Sequence, residues 1–359
     1  MNGSGADFVF ADNSNLFYAA FIPGLQDLIA DVIKTRLSDA VIHKLLDGAV
    51  IFETKTTYDK LNFFCFNNIF AVISVMEHKE GSCALEKHIK AFVSSSDGRE
   101  KIISHNSANF HTFRIVISNE NKPASIDENL RASAEKRISG LSGLKVNRAK
   151  PDTEFWFLYR RDDSPGGENF SVFMKRLTLR PSWEKSLHRG ELPPPLAWSL
   201  CRIAGLTHGD TVLDPFCGYG SIPQAAFKHF HVNRFIACDS DKDAFLFSAA
   251  RLKKRNNAGF IIHHADFNLL PSLAAEKSID AVVTDPPWGQ YREIGDDRLY
   301  EKMFDVFRKL LKDGGRAVVL CANSAQDSLL KAVPACFRLG NSIPILLSGK
   351  KASIFKFFM

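Results

Sequence analysis

The sequence predicts an α/β protein whose C-terminal half is a doubly wound, Rossmann-like sheet of seven strands with an antiparallel terminal hairpin, preceded by smaller α+β domains. Three observations carry this. From residue 195 to residue 359, seven short apolar runs alternate with helical patterns and short loops. Four successive runs end on an acid: Asp214, Asp239, Asp266 and Asp285. The last two runs, 342–347 and 352–358, are joined by only SerGlyLysLys. That is too short for a right-handed crossover, so this pair must be antiparallel.

Taken in order, the chain first offers a helix in which Leu25, Leu28, Ile29 and Val32 share one face. Pro23 falls near its start, where a missing N–H is harmless. A strand at 49–53, a second helix near 58–67 and a strand at 69–75 complete a βαββαβ-like, ferredoxin-like unit over residues 1–80. A second α+β unit over 81–179 has helices at 83–93 and near 126–138. Its strands are 112–117, 155–160 and 170–177, the last two joined by the loop 162–169. A Pro-rich linker, 180–194, leads to a helix at 195–203 and the C-terminal domain, 195–359.

Ligands of open α/β sheets bind beyond the carboxyl ends of the strands, so the strand-end acids are the candidate site. The run ThrValLeuAspProPheCysGlyTyrGly, 211–220, is a strand entering a glycine turn before a helix, with Asp214, Phe216, Gly218 and Gly220 in the cradle. A dinucleotide fingerprint would place a third glycine near 223, where Pro223 stands. Asp214 would repel a pyrophosphate and suits a cation; S-adenosyl-L-methionine carries an ammonium and a sulfonium. Asp214 is then expected to face the ammonium and Asp239 to take both ribose hydroxyls. Asp266 would accept from the adenine amine, with Phe267 packed nearby. Asp241, two residues past Asp239, reads as a helix cap.

The segment ThrAspProProTrpGlyGlnTyrArg, 284–292, supplies the other half of the site. Asp285 and the Pro286 carbonyl can accept both hydrogens of an exocyclic NH₂, with Pro287 the second proline of the same catalytic motif, and Trp288 stacks on the ring that bears the amine. Hydrogen bonds to both protons favour a pyramidal nitrogen with its lone pair aimed outward, and in-line attack on a sulfonium methyl then needs mainly positioning. Any one of these acids could instead cap a helix or turn. Four ending successive strands, one before glycines and one before ProPro, make coincidence a poor account.

Composition narrows the remaining choices. A chain of 359 residues with 45% apolar content fits two or three domains. It shows no membrane-length apolar run and no secretory signal at the N-terminus, which predicts a soluble, intracellular protein of the cytoplasm or nucleus. Seven cysteines, at 65, 83, 201, 217, 238, 321 and 336, form no CxxC or His/Cys pattern at zinc spacing, so reduced core thiols and no metal are expected. The net charge of +6 is mildly basic. Residues 122–189 hold 14 Lys and Arg against 9 Asp and Glu, most of that excess. Lys145, Arg148 and Lys150 are the candidate phosphate contacts there.

With these residues in view, the chain resembles the THUMP-domain RNA guanosine N2-methyltransferases. LeuProProProLeuAla, 192–197, looks like the family's segment over the methionine end of the cofactor. AspProPheCysGlyTyrGlySer looks like its cofactor turn, and AspProProTrpGly like its Asp-Pro-Pro-aromatic-Gly site. ThrPheArgIleValIle through PheMetLysArgLeu resembles a THUMP domain, and the first 80 residues the family's ferredoxin-like domain. The resemblance implies S-adenosyl-L-methionine as cofactor, RNA as partner, N2 of guanine as target and THUMP domains gripping tRNA. A small activating subunit is a further candidate partner. Tyr219 stands where the family often has Ser, and Trp288 where Phe or Tyr is more usual. Three other functions compete: adenine N6 methylation of RNA or DNA, a non-catalytic RNA-binding protein, and, weakest, hydride transfer.

Overall fold

The structure is a computed structural model, and it describes residues 15–61, 63–78, 83–96, 102, 110–163, 166–178, 187–253, 259–288 and 298–359. Contacts divide the chain into two compact units, one of residues 1–21 with 29–181, the other of residues 22–28 with 182–359.

The first unit is built on one sheet ordered β2-β3-β1-β4-β9-β8-β5-β6, with β7 (Lys145–Val146) beside β5. Its first half comprises β1 (Asn15–Ala20), α1 (Gln26–Arg36), β2 (Val41–Leu46), β3 (Ala49–Thr54) and β4 (Asn68–His78). The order β4-β1-β3-β2 is that of a ferredoxin-like unit. The helix expected near 58–67 does not form. Among the described residues that segment holds only the 3₁₀ turn Tyr58–Lys60, whose Thr57 makes no side-chain cap. Its aromatic run packs as irregular chain instead: Phe66 stacks on Phe52 at 6.3 Å and Phe63 meets the same ring edge-on at 6.2 Å. Burial of these rings outweighs the local helical pattern.

The second half adds α2 (Ala84–Ser94), β5 (Thr112–Asn119), β6 (Lys122–Pro123), α3 (Glu128–Ser142), β8 (Thr153–Arg160) and β9 (Asn169–Arg176). Asp127 caps α3 by accepting from the Leu130 amide at 2.9 Å, and Gly143 ends the helix at φ 75°. Across the expected boundary at residue 80 the sheet runs on without a break, because β4 pairs antiparallel with β9. The second core is aromatic, with Phe157 and Phe173 stacked at 4.2 Å.

Two buried histidines sit at this seam. Ser171 Oγ lies 2.7 Å from both His78 Nε2 and His88 Nδ1, and His88 Nε2 lies 2.8 Å from Ser74 Oγ. Burial first, then the neighbouring His78, holds the His88 ring down to about 3; burial and Lys87 lower His78 as well.

The second unit is the seven-stranded sheet read from the sequence, ordered β12-β11-β10-β13-β14-β16-β15. Its elements are α4 (Pro194–Ala204), β10 (Thr211–Asp214), α5 (Ser221–Ala225), β11 (Arg234–Asp239), α6 (Lys242–Lys253), β12 (Phe260–His264), α7 (Leu270–Leu273), β13 (Ile279–Thr284), α8 (Leu299–Leu310), β14 (Leu311–Ala322), α9 (Gln326–Lys331), β15 (Arg338–Leu347) and β16 (Lys350–Phe358). The strands β10 to β14 are parallel, and β16 is antiparallel to both β14 and β15. Helix α8 buries Leu299, Tyr300, Met303, Phe304, Phe307 and Leu310 at three- and four-residue spacing. Each of those large side chains contributes about 1.5–3 kcal/mol by leaving water.

The histidine seam makes the first unit acid-sensitive. In the unfolded chain His88 titrates near its ordinary value and in the fold near 3, so its share of stability is complete above that ordinary value and is lost as pH falls. Between pH 7 and about pH 5 this one residue is expected to withdraw about 2 kcal/mol. Urea midpoints followed by a probe in the first unit should fall over that interval; a flat midpoint would show that the seam takes up protons without penalty.

Candidate active site

The carboxyl ends of β10, β11, β12 and β13 open onto a cavity of ≈ 730 Å³, whose walls include Asp214, Asp239, Asp266 and Asp285. The strand order reverses between β10 and β13, and a crevice forms where neighbouring crossovers leave to opposite sides.

Asp214 is buried at the end of β10. Its Oδ1 accepts from Thr284 Oγ1 at 2.7 Å and from the Phe216 amide at 3.2 Å. Its Oδ2 is buried and has no partner. Burial pushes this carboxyl up to about 7, opposed by the Thr284 and Phe216 hydrogen bonds and reinforced by Asp239. Beyond it Gly218 and Gly220 adopt positive φ, 49° and 82°, where glycine alone is unstrained. A Cβ at Gly220 would also stand 2.5 Å from Ser248 Oγ.

Asp239 takes the Gly218 amide on Oδ2 at 2.8 Å and the Asp241 amide on Oδ1 at 2.9 Å, so it braces the glycine turn as well as lining the cavity. Asp241 caps α6 by accepting from Ala244 N at 2.8 Å, as its position predicts. Asp266 is exposed and uses Oδ1 to receive the backbone and side-chain N–H groups of Asn268, at 2.9 and 2.7 Å. Phe267 is buried, its ring 4.8 Å from that of Phe216, and both line the cavity.

Asp285, Pro286, Pro287 and Trp288 follow β13 directly and form one wall of the same cavity. Asp285 Oδ1 and Trp288 Nε1 are both buried and neither reaches hydrogen-bond geometry with any group, although the indole N–H lies near enough to the carboxyl to influence it. Burial and the charge of Asp214 raise the Asp285 carboxyl well above the usual range, with Trp288 pulling the other way. Three orphaned polar atoms around one cavity leave a desolvation cost of about 1–3 kcal/mol each that a ligand can repay. Two of them are acids, so the complementary ligand carries positive charge and donors. The rest of the motif, 289–292, lies outside the described residues.

Two other sequence expectations fare differently. Lys145 and Lys150 are exposed on the first unit. Arg148, by contrast, is committed: Nε and Nη2 donate to Glu135 at 3.0 and 2.9 Å, and Nη2 donates to Glu128 at 2.8 Å. It fastens the turn after α3, with about half of its side chain, 51%, still exposed. Arg160, Lys175 and Arg176 are buried, so the basic excess of this stretch is not all surface charge. Cys217 is buried with its thiol raised well above 9.0, chiefly by burial, which fits a core thiol. Five of the seven cysteines are buried and all are free. Among the described residues no group of His, Cys, Asp or Glu is arranged to hold a metal, and no helix is long and apolar enough to cross a membrane.

Sequence reasoning missed the residues that approach from far along the chain. Residues 187–191, read as linker, line the cavity beside Leu192 and Pro193, and so do Leu347, Ser348 and Lys350 around the β15–β16 turn. Thr284 was quoted within its motif without its role of anchoring Asp214.

Residues 181–333 match the family model described as UPF0020, an RMKL-like methyltransferase domain. The whole chain is similar in fold to the crystal structure of TrmN from Thermus thermophilus, with a TM-score of 0.77 at 21% identity, covering 96% of this chain and 99% of that one. It is 28% identical over 186 residues to a tRNA (guanine(10)-N2)-dimethyltransferase of Methanothermobacter thermautotrophicus, 48% of this chain and 52% of the relative. It is 26% identical over 249 residues to a tRNA (guanine(6)-N2)-methyltransferase of Thermus thermophilus, 68% of this chain and 71% of the relative. The chain spans about half the length of the archaeal relatives it matches.

Within the second unit, Gly220→Ala is expected to cost about 1–2 kcal/mol from the left-handed backbone alone. Adding Ser248→Ala relieves only the side-chain clash. Thermal unfolding of the single and double variants separates the two contributions, and a double variant as stable as the parent would remove the backbone requirement.

Proposed function

We propose that this protein transfers a methyl group from S-adenosyl-L-methionine to the exocyclic N2 of a guanosine in structured RNA, tRNA foremost, in the cytoplasm or nucleus. The observation that carries the proposal is the wall formed by Asp285 to Trp288, with an unpartnered carboxylate oxygen and an aromatic ring, opening onto the cavity that holds the unpartnered oxygen of Asp214. The named activities of the relatives support the same reading.

The bound cofactor supplies an electrophilic methyl on a sulfonium that departs as neutral thioether. Asp214 would face its ammonium, Asp239 the ribose hydroxyls, and Asp266 with Phe267 the adenine. Gly218 and Gly220 let backbone approach it. Asp285 and the Pro286 carbonyl accept the two hydrogens of the target amine, and Pro287 fixes their direction. Trp288 offers its face to the extruded base, a contact contributing about 1–3 kcal/mol. Ionised Asp285 accepts best, so the raised carboxyls set a pH requirement. Lys145 and Lys150 of the first unit contact RNA phosphates, and a small activating subunit is a further proposed partner.

The deciding experiment is nucleoside mass analysis after incubation with labelled cofactor and mixed RNA and DNA. N2-methylguanosine is expected; N6-methyladenosine would move the target to adenine, and no product with no cofactor binding would favour the non-catalytic protein. Asp285→Ala should abolish transfer and leave cofactor affinity nearly unchanged; turnover at the parental rate would remove Asp285 from catalysis.

The rate should rise with pH through about 7, where the Asp214 carboxyl ionises; burial and the charge of Asp214 raise the Asp285 carboxyl as well. Asp214→Asn removes a charge that raises Asp285, so the acid limb of its residual activity should move to lower pH. An unmoved limb would uncouple the two acids.

Charge reversal at Lys145 and Lys150 should raise KM for RNA and flatten the salt dependence of binding by about one unit of slope per lost contact. Arg148→Glu should instead lower the stability of the first unit. Equal RNA affinity in the lysine variants would move the binding face elsewhere.

A further inference from the structure

Residues 187–193 border the cavity, and a compact set of contacts holds them there. Glu191 is the centre: its side chain is 2% exposed, and it gathers donors from three places in the second unit. Arg251 Nη1, near the end of α6, donates to Oε1 at 2.5 Å; Ser221 Oγ, at the start of α5, donates to the same oxygen at 3.4 Å; the His188 amide donates to Oε2 at 3.0 Å. The same Arg251 nitrogen also donates to the Tyr219 carbonyl, within the glycine turn, at 2.9 Å. One guanidinium therefore joins the segment, the cofactor turn and α6.

A second set of contacts runs parallel to the first. The His188 ring stacks on Tyr219 at 4.1 Å with 9° between planes, and both meet Phe247 edge-on, at 4.5 and 5.6 Å. The Arg251 guanidinium lies over Phe247 at 4.7 Å. This gives Tyr219 a use that Ser could not serve.

We propose that Glu191 and Arg251, with the His188–Tyr219 stack, are positioning residues that latch residues 187–193 to the glycine turn and thereby set how long the cofactor stays bound. The inference rests on the methyltransferase reading above. Neither residue is asked to touch a reacting atom. A buried carboxylate holding its own backbone by one oxygen and a cation by the other fixes the segment in one arrangement, whereas without the cation the carboxylate is left desolvated and the segment is released.

The test measures cofactor dissociation directly. S-adenosyl-L-methionine is bound to the full chain, its release is followed by stopped-flow chase, and its Kd by calorimetry. Arg251→Ala and Glu191→Ala should raise the dissociation rate about tenfold or more and raise Kd with it, while kcat at saturating cofactor changes less than twofold. Arg251→Lys, which keeps the charge, should recover part of the loss. Trypsin cleavage after Arg189 should be slowed by cofactor in the parent and indifferent to cofactor in the variants. A merely structural pair would lower the melting temperature and leave these readouts unchanged, and unchanged dissociation in folded variants overturns the proposal. Should both alanine variants fail to fold, Tyr219→Ser removes only the stack; it should raise the dissociation rate about threefold, and an unchanged rate is again decisive against the latch. Failure of the parent to bind the cofactor at all would instead defeat the function proposed above.

Discussion

The hydrogen bond from Thr284 to Asp214, 2.7 Å long and buried, is the contact on which the site depends. It joins the ends of β10 and β13, the two strands between which the order of the sheet reverses. Asp214 stands before the glycine turn, and Thr284 stands before Asp285. The bond thus ties Asp214 and the glycine turn to Asp285 across two strands already paired in the sheet. It also divides the labour within one carboxylate: Oδ1 serves the fold and Oδ2 is left for a ligand. Loss of the hydroxyl would leave Asp214 buried beside Asp285 with one donor fewer, in a place where two like charges already oppose each other.

That tension gives the site its character. Burying a carboxylate without a partner is unfavourable, and burying two near each other more so, unless one or both hold a proton. The chain keeps both acids and answers with raised carboxyl values instead of a salt bridge. Asp239 shows the contrasting solution, since its two oxygens are occupied by backbone amides and the group braces the turn it lines. Acids in the same crevice therefore stand in different states of readiness, and the unsatisfied ones, Asp214 and Asp285, are those the proposed function sets against a cation and an amine.

Much of this was legible in the sequence, because the signals were local. An apolar run of four to six residues ending in Asp reads the same before and after folding, and the terminal hairpin follows from a four-residue connection. What escaped is what folding brings together from a distance. Arg148 looked like free positive charge until α3 brought Glu135 and Glu128 against it. Phe63 and Phe66 fell within the helix expected near 58–67, and in the fold they pack on Phe52 instead. The pairing of β4 with β9 joins residues about a hundred apart, and no period in either strand announces it.

Glu191 is the sharpest instance of that limit. In sequence it is one acid in a Pro-rich stretch, and a solvated linker was the natural reading. In the fold it is nearly inaccessible and paired with an arginine sixty residues on, which also holds the carbonyl of Tyr219. A buried ion pair is weak evidence for stability, because desolvating both partners offsets most of their attraction. It is better evidence for uniqueness: a long acidic side chain that must reach one guanidinium holds its backbone in one place far more strictly than an apolar contact would. Beside a cavity in which Asp214 and Asp285 keep unsatisfied oxygens, the segment that borders one wall is thus held by directional interactions and not by apolar contact alone.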